Sequence, residues 1–180
     1  MKIEDNFLKQ KDFDRLHNFM FDGKKGEFSS IPWYYNNCIV RSDDKDKFQF
    51  THVFYYKDGY NSEPDPQNSL GDMSILDPIL VKIGSITLWR IKANLLTRTS
   101  NIVENSFHVD MNFLSEEKLK QWTTSIFYVN TNNGYTKFED GSKVESVANR
   151  LVTFPANMKH TGTTCTNQQI RIIINFNYFK

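Results

Sequence analysis

The stretch Ile170-Arg171-Ile172-Ile173-Ile174-Asn175-Phe176-Asn177-Tyr178-Phe179 decides the fold. Its alternation marks a strand, and Ile173 puts an apolar side chain on the face opposite Ile172 and Ile174. A strand apolar on both faces sits inside a sheet, with layers above and below it. Arg171 interrupts this run, and a charge in such a place is expensive unless something pairs with it.

More strands precede it. Thr87, Trp89, Ile91, Ala93 and Leu95 alternate with Leu88, Arg90, Lys92 and Asn94. Phe48, Phe50, His52 and Phe54 alternate with Gln49, Thr51 and Val53. Such period-2 patterns read as strands. Further strands are expected at Phe107–Asp110, Trp122–Asn130 and Leu151–Phe154. Asn132-Asn133-Gly134 and Asp140-Gly141 are hairpin signals, the second between strands at Thr136–Glu139 and Lys143–Val147. Helical spacing appears at Phe13, Leu16, His17 and Met20, so residues 10–21 read as a helix ended by Gly23 and Gly26. Asp77-Pro78 opens a short helix that closes at Gly84. Ser115–Lys118 is a polar helical excursion, residues 58–69 a long loop, and Asp43–Lys47 a solvated turn.

Helices first and short antiparallel strands afterwards give an α+β chain, mainly β. The expected architecture is a double-stranded β-helix, or jelly roll, with N-terminal helices packed on it. One domain spans residues 1–180: residues 1–84 form a support region of helices and a strand, and residues 85–180 the core. The 180 residues suffice for one sizeable core. A net charge of +1 exerts no global pull on nucleic acid or membrane, so neither is an expected partner. Cys38 and Cys165 are too few for a disulfide framework and read as reduced thiols. With no apolar signal core after Met1 and no long apolar run, a cytoplasmic location is expected, the host cytoplasm if the source is viral.

Within this frame, His108-Val109-Asp110 is followed by His160 and then, eleven residues on, by Arg171. On a strand, positions i and i+2 share a face, so His108 and Asp110 can reach one metal while a distant strand supplies His160. Two imidazoles and a carboxylate suit Fe(II) and leave three coordination positions open. A closed structural zinc site has four protein ligands instead. Guanidinium pairs carboxylate through two parallel hydrogen bonds, which suits Arg171 to the far carboxylate of a dicarboxylate co-substrate. Tyr128 is placed to add a second hydrogen bond.

Residues 108–178 resemble the iron(II)- and 2-oxoglutarate-dependent oxygenases, in particular their prolyl 4-hydroxylase-like branch. The resemblance runs from His108-Val109-Asp110 through Ser125-Ile126-Phe127-Tyr128-Val129-Asn130 to the hairpin Asn133-Gly134-Tyr135-Thr136-Lys137-Phe138. It continues through Arg150-Leu151-Val152-Thr153-Phe154 and His160-Thr161-Gly162 to Arg171. Asp5-Asn6-Phe7-Leu8 and Ile31-Pro32-Trp33-Tyr34-Tyr35 look like small stand-alone members encoded by bacteriophages and marine bacteria.

The resemblance implies His108, Asp110 and His160 as iron ligands, with Arg171, Tyr128 and Asn94 contacting 2-oxoglutarate. It implies O2 as second co-substrate, ascorbate as reductant, and release of succinate and CO2 as a C–H bond is hydroxylated. A prolyl or other protein side chain is the substrate class this branch favours. The sequence departs from the family in two places. Asn133-Gly134-Tyr135-Thr136 stands where Gly-Gly-Glu-Thr is usual. Ile173 stands where many branches have a serine, which leaves Tyr128 or a threonine, for instance Thr163, as hydroxyl donor.

Other residues carry plainer readings. His52 and His17 read as structural, and Trp33, Tyr34 and Tyr35 either pack the N-terminal segment or wall a substrate pocket. Arg90 and Lys92 read by default as exposed strand charges, with contact to an acidic substrate as the alternative, and Asn157 and Lys159 as a pocket rim. Rival functional readings are a non-catalytic jelly-roll binding module, an oxygenase acting on a free amino acid or nucleobase, and a cupin-type metal enzyme. The last lacks its His-x-His pair here.

Overall fold

A computed structural model of the chain describes residues 1–21, 31–40, 47–57 and 73–180. Gly23 and Gly26, the turn at 43–46 and the loop at 58–69 lie outside the described residues. Three helices are present among the described residues: α1 (Gln10–Phe21), α2 (Asp77–Ile83) and α3 (Glu116–Leu119). The strands are β1 (Lys2–Glu4), β2 (Tyr34–Asn36), β3 (Gln49–Tyr56), β4 (Thr87–Thr97) and β5 (Thr123–Tyr128). They continue as β6 (Tyr135–Phe138), β7 (Lys143–Glu145), β8 (Arg150–Pro155), β9 (His160–Gly162) and β10 (Ile170–Phe179).

The strands form two antiparallel sheets, a larger one in the order β1-β8-β5-β10-β4-β3-β2 and a smaller one in the order β7-β6-β9. β10 lies in the middle of the larger sheet, as its two-faced apolar pattern requires. The sheets face each other across a core of Ile126, Tyr128, Phe138, Val144, Val152, Phe154 and Ile173. This is the jelly roll expected from the sequence.

The opposite face of the larger sheet carries α1 and α2, while Leu119 of α3 packs in a separate cluster with Met111 and Ala156. Phe13, Leu16 and Met20 recur at helical spacing on α1 and are buried. Phe13 and Phe7 both pack against Phe127 of β5, with ring centroids 6.3 and 6.4 Å away. Each fully buried Phe or Leu there contributes roughly 1.5–3 kcal/mol, and Lys82 of α2 adds a contact over the Phe7 ring, 4.2 Å from its centroid. α2 stops at Gly84, whose φ of 65° is left-handed and whose N–H donates to Leu80 O.

Residues 2–56 supply three strands of the larger sheet: β1 at one edge, and β3 and β2 at the other. β1, β2 and β9 are three residues each, too short to show periodicity in the sequence. Asn149, at φ 61°, ties the N-terminal segment down. Its side chain accepts from Leu8 N and donates to Leu8 O, and Phe7 N donates to its carbonyl.

The strand expected at Phe107–Asp110 is not formed. His108 makes a single bridge to His160, and Asp110 opens a turn. The reason is geometric: at this point the chain leaves the smaller sheet, where His108 is bonded, and reaches toward the larger one, where Asp110 is bonded.

Candidate metal and co-substrate site

His108 and His160 lie directly opposite each other. Each backbone N–H donates to the other's carbonyl at 3.0 Å, and the ring centroids are 4.8 Å apart. Nδ1 of His108 lies 3.2 Å from Ser106 O, and Nδ1 of His160 lies 3.1 Å from Met158 O. A carbonyl can only accept, so each Nδ1 carries a proton, which leaves Nε2 as the nitrogen that can offer a lone pair to a metal. Asp110 closes the group, with Oδ1 3.8 Å from His108 Nε2. Ligand atoms of all three residues lie within 4.8 Å of one another, close enough for one ion. The donor set fits Fe(II): two imidazole nitrogens and a carboxylate, with no fourth His, Cys, Asp or Glu grouped with them among the described residues.

Asp110 is held from the larger sheet. Arg90 of β4 approaches Asp110 Oδ1 at 3.2 Å, and Asn177 of β10 donates to Oδ2 at 2.8 Å. Arg90 Nε also donates to Asn177 Oδ1 at 3.2 Å, which closes the set. Burial by itself would raise the Asp110 pKa. Arg90, His160, His108 and the Asn177 hydrogen bond outweigh it and hold the carboxyl far below the usual range. Burial and the adjacent His160 lower the pKa of His108, against opposing effects of Asp110 and Ser106, and so favour the neutral, ligating form.

Arg171 lies fully inside the same cavity, 1% exposed. Its Nε donates to Ser146 Oγ at 2.9 Å, while Nη2 is buried with no hydrogen-bond partner. Burial lowers its pKa, yet guanidinium stays charged at any physiological pH. A buried, charged, half-satisfied guanidinium fits a carboxylate. Space for it depends on Gly134, where a Cβ would come within 2.8 Å of both Arg171 Cδ and Thr164 O. Tyr128 is covered by β6 and donates its hydroxyl to Thr136 Oγ1 at 2.8 Å. Burial pushes its pKa up to about 12, so it remains a donor. Thr136, not Tyr128, lines the cavity. Asn94 lines it too, with Oδ1 unpartnered.

The cavity encloses about 500 Å³ of space, a figure that includes open solvent at its mouth. His108, Asp110, His160, Arg171 and Asn94 all line it. Thr163 does not: its hydroxyl accepts from Tyr135 N and bonds the carbonyl of Thr164. Trp33, Tyr34 and Tyr35 do not line it either. Trp33 packs on the main core, and Tyr34 and Tyr35 build the edge strand β2. Lys159 faces solvent with Glu139, and neither it nor Asn157 is at the cavity. His52 is on the helix side, with Nδ1 2.9 Å from Pro32 O. His17 stacks on Phe21 of its own helix.

Arg90 and Lys92 are corrected. Both share the parity of Asn94 on β4, and that face turns inward. Arg90 pairs Asp110, and Lys92 lines the cavity. The signal was present in the sequence: three polar residues on one parity of a strand whose neighbour β10 carries Arg171, Asn175 and Asn177. Asn105, Asn175 and Thr136 also line the cavity and were not singled out.

No protein-family model and no curated protein matches the sequence. Solved structures do match the fold. A prolyl hydroxylase from Trichoplax adhaerens, solved with a hypoxia inducible factor peptide fragment, aligns over 99% of this chain and 82% of its own, with TM-score 0.60 and 10% identity. A Pseudomonas putida prolyl-4-hydroxylase aligns over 99% and 92%, with TM-score 0.56 and 12% identity. A viral collagen prolyl hydroxylase from Paramecium bursaria Chlorella virus-1, solved with 2OG, aligns over 99% and 95%, with TM-score 0.54 and 14% identity. The chain has the fold of the prolyl hydroxylases. No helix among the described residues is long and apolar enough to cross a membrane.

Proposed function

We propose that this chain is an Fe(II)- and 2-oxoglutarate-dependent dioxygenase that hydroxylates a C–H bond. One observation carries the reading. A His-Asp-His group with converging ligand atoms shares a cavity with a buried arginine that still lacks a partner. Iron bound there supplies O2 activation coupled to decarboxylation of 2-oxoglutarate, with succinate and CO2 as products.

The protein's own part is positional. His108, His160 and Asp110 hold one face of the metal. Arg90 and Asn177 fix the Asp110 carboxylate, and the carbonyls of Ser106 and Met158 fix the imidazole tautomers. Arg171 takes the distal carboxylate of 2-oxoglutarate, with Thr136 beside it and Tyr128 orienting Thr136. The two sheets exclude water from this end, which strengthens the ion pair and places the co-substrate for reaction. A peptide or protein side chain, prolyl or other, is the substrate class we favour, because neighbours of this fold act on such substrates.

The test is turnover of 2-oxoglutarate to succinate by purified protein with Fe(II) and ascorbate as reductant. Slow succinate formation without added substrate is expected. Formation no greater than that of His108→Ala would overturn the reading.

A further inference from the structure

Two cationic side chains line the cavity, and the reading above uses only Arg171. Lys92 is the other. It is half-buried, and no hydrogen bond or ion pair engages its ammonium among the described residues. Among the described residues the one acidic side chain lining the cavity, Asp110, is already committed to Arg90 and Asn177. Burial, with the charge of Arg90, lowers the Lys92 pKa to about 8. The group therefore remains largely protonated at neutral pH, and among the described residues no carboxylate pairs with it.

Register separates Lys92 from the co-substrate end. Arg171 is opposite Leu96, Ile173 opposite Asn94, and Asn175 opposite Lys92. At a rise of about 3.3 Å per residue, the Arg171 and Lys92 rows lie about 13 Å apart along the sheet. The sides differ as well. Thr136 and Tyr128 approach Arg171 from the β5 and β6 side. Lys92 stands on the other side of β10, on β4, where it is opposite Val53 of β3. A five-carbon diacid that puts one carboxylate on Arg171 and the other on the metal has no carboxylate left for Lys92. The adjacent acceptors Asn94 Oδ1 and Asn175 Oδ1 are buried and unpartnered, so a donor group is wanted there too.

We propose that Lys92 binds a carboxylate of the substrate to be oxidised, and so holds that substrate's C–H bond beside the metal. The substrate is then an anion: a free amino or other small acid, or an acidic residue of a peptide. This rests on the dioxygenase reading for its purpose, but its test does not depend on turnover.

The test uses ¹³C-lysine-labelled full chain loaded with Zn(II) and saturating 2-oxoglutarate, with the Lys92 Hε–Cε NMR signal assigned by its loss in Lys92→Arg. Acetate is the probe and acetamide the neutral control. The expected result is a saturable shift of the Lys92 signal with acetate, none with acetamide, and none at other lysines. Absence of that shift overturns the proposal. So does a Lys92 signal already moved by 2-oxoglutarate and then indifferent to acetate, because Lys92 would belong to the co-substrate. Titration with L-alanine and with N-acetyl-aspartate N-methylamide separates the two sources, the tighter ligand identifying a free α-carboxylate or an acidic side chain. Failure of the dioxygenase reading shows separately, as absence of calorimetric heat when 2-oxoglutarate is added to the Zn(II) protein. Acetate binding at Lys92 is still read in that case.

Discussion

The two ends of the cavity manage buried charge in opposite ways. At the Asp110 end, the anion is answered inside the protein by Arg90 and Asn177. At the Arg171 end, the cation is answered only by a neutral hydroxyl, Ser146 Oγ, and one guanidinium nitrogen is left bare. The first end is complete before any ligand arrives, as suits a group that must hold a metal in fixed geometry. The second carries a desolvation cost that only an incoming anion offsets. Lys92 belongs with the second kind.

The largest test removes the bare cation. Arg171→Ala should weaken 2-oxoglutarate binding by about 2–5 kcal/mol, because the distal carboxylate would be left buried and unpaired. Calorimetry of the metal-loaded protein reads this, with metal affinity as the control. An unchanged affinity would show that Arg171 is structural. At the other end, Arg90→Ala should lower metal affinity roughly 10–100-fold, by freeing the Asp110 carboxylate. If metal binding holds while 2-oxoglutarate binding fails, the two ends are not separate as described.

Lys92→Met should stabilise the ligand-free protein. The Lys92 pKa falls from 10.5 to about 8, and at about 1.4 kcal/mol per unit this bounds the gain near 3 kcal/mol. Partial contact with water reduces it to on the order of 1–3 kcal/mol. The sign follows from proton counting. The folded state gives up the lysine proton at lower pH than the unfolded state, so stability rises with pH above 8 in the native protein and the rise should vanish in the variant. Thermal unfolding at pH 7 and pH 9 checks both. Gly134→Ala should cost 2-oxoglutarate affinity by roughly 3- to 10-fold, since the added methyl must displace Arg171 or strain the Thr164 carbonyl.

The smallest effect lies outside the cavity. Burial lowers the pKa of His52 below 6.5. The unfolded chain therefore binds the extra proton first, and stability should fall as pH drops below 6.5. His52→Gln should flatten that fall while leaving co-substrate affinity unchanged.

The grouping of His108, Asp110 and His160 and the buried Arg171 were legible in the sequence because each requirement is local. A histidine and a carboxylate two residues apart, and an arginine inside an isoleucine run, stand out from their neighbours. β10 was legible for a similar reason, since its length fixes its parity. What was hidden depends on pairing between distant strands. Arg90 looked solvent-exposed because nothing near it in sequence says which face of β4 turns inward, and its partner Asp110 is twenty residues away in a turn. The turn itself was misread as a strand, because the chain's change of sheet at His108 leaves no mark in the pattern of side chains. Thr136 belongs to a hairpin in the sequence, but its place on the cavity with Arg171 follows from Tyr128 crossing between the sheets.

The clamp at Asn149 has a consequence in time. Phe7 and Leu8 are bonded to a residue more than 140 positions away, and Lys2–Glu4 pair with Leu151–Thr153. During synthesis, residues 2–8 must wait for residues 149–153, more than 140 positions later, before their backbone is satisfied. Such long-range closure slows folding, and it leaves the edge at β8 open until the N-terminal segment docks. A destabilised clamp, as in Asn149→Ala, would therefore appear first as slower refolding and aggregation of new chains, before any fault appeared at the metal site.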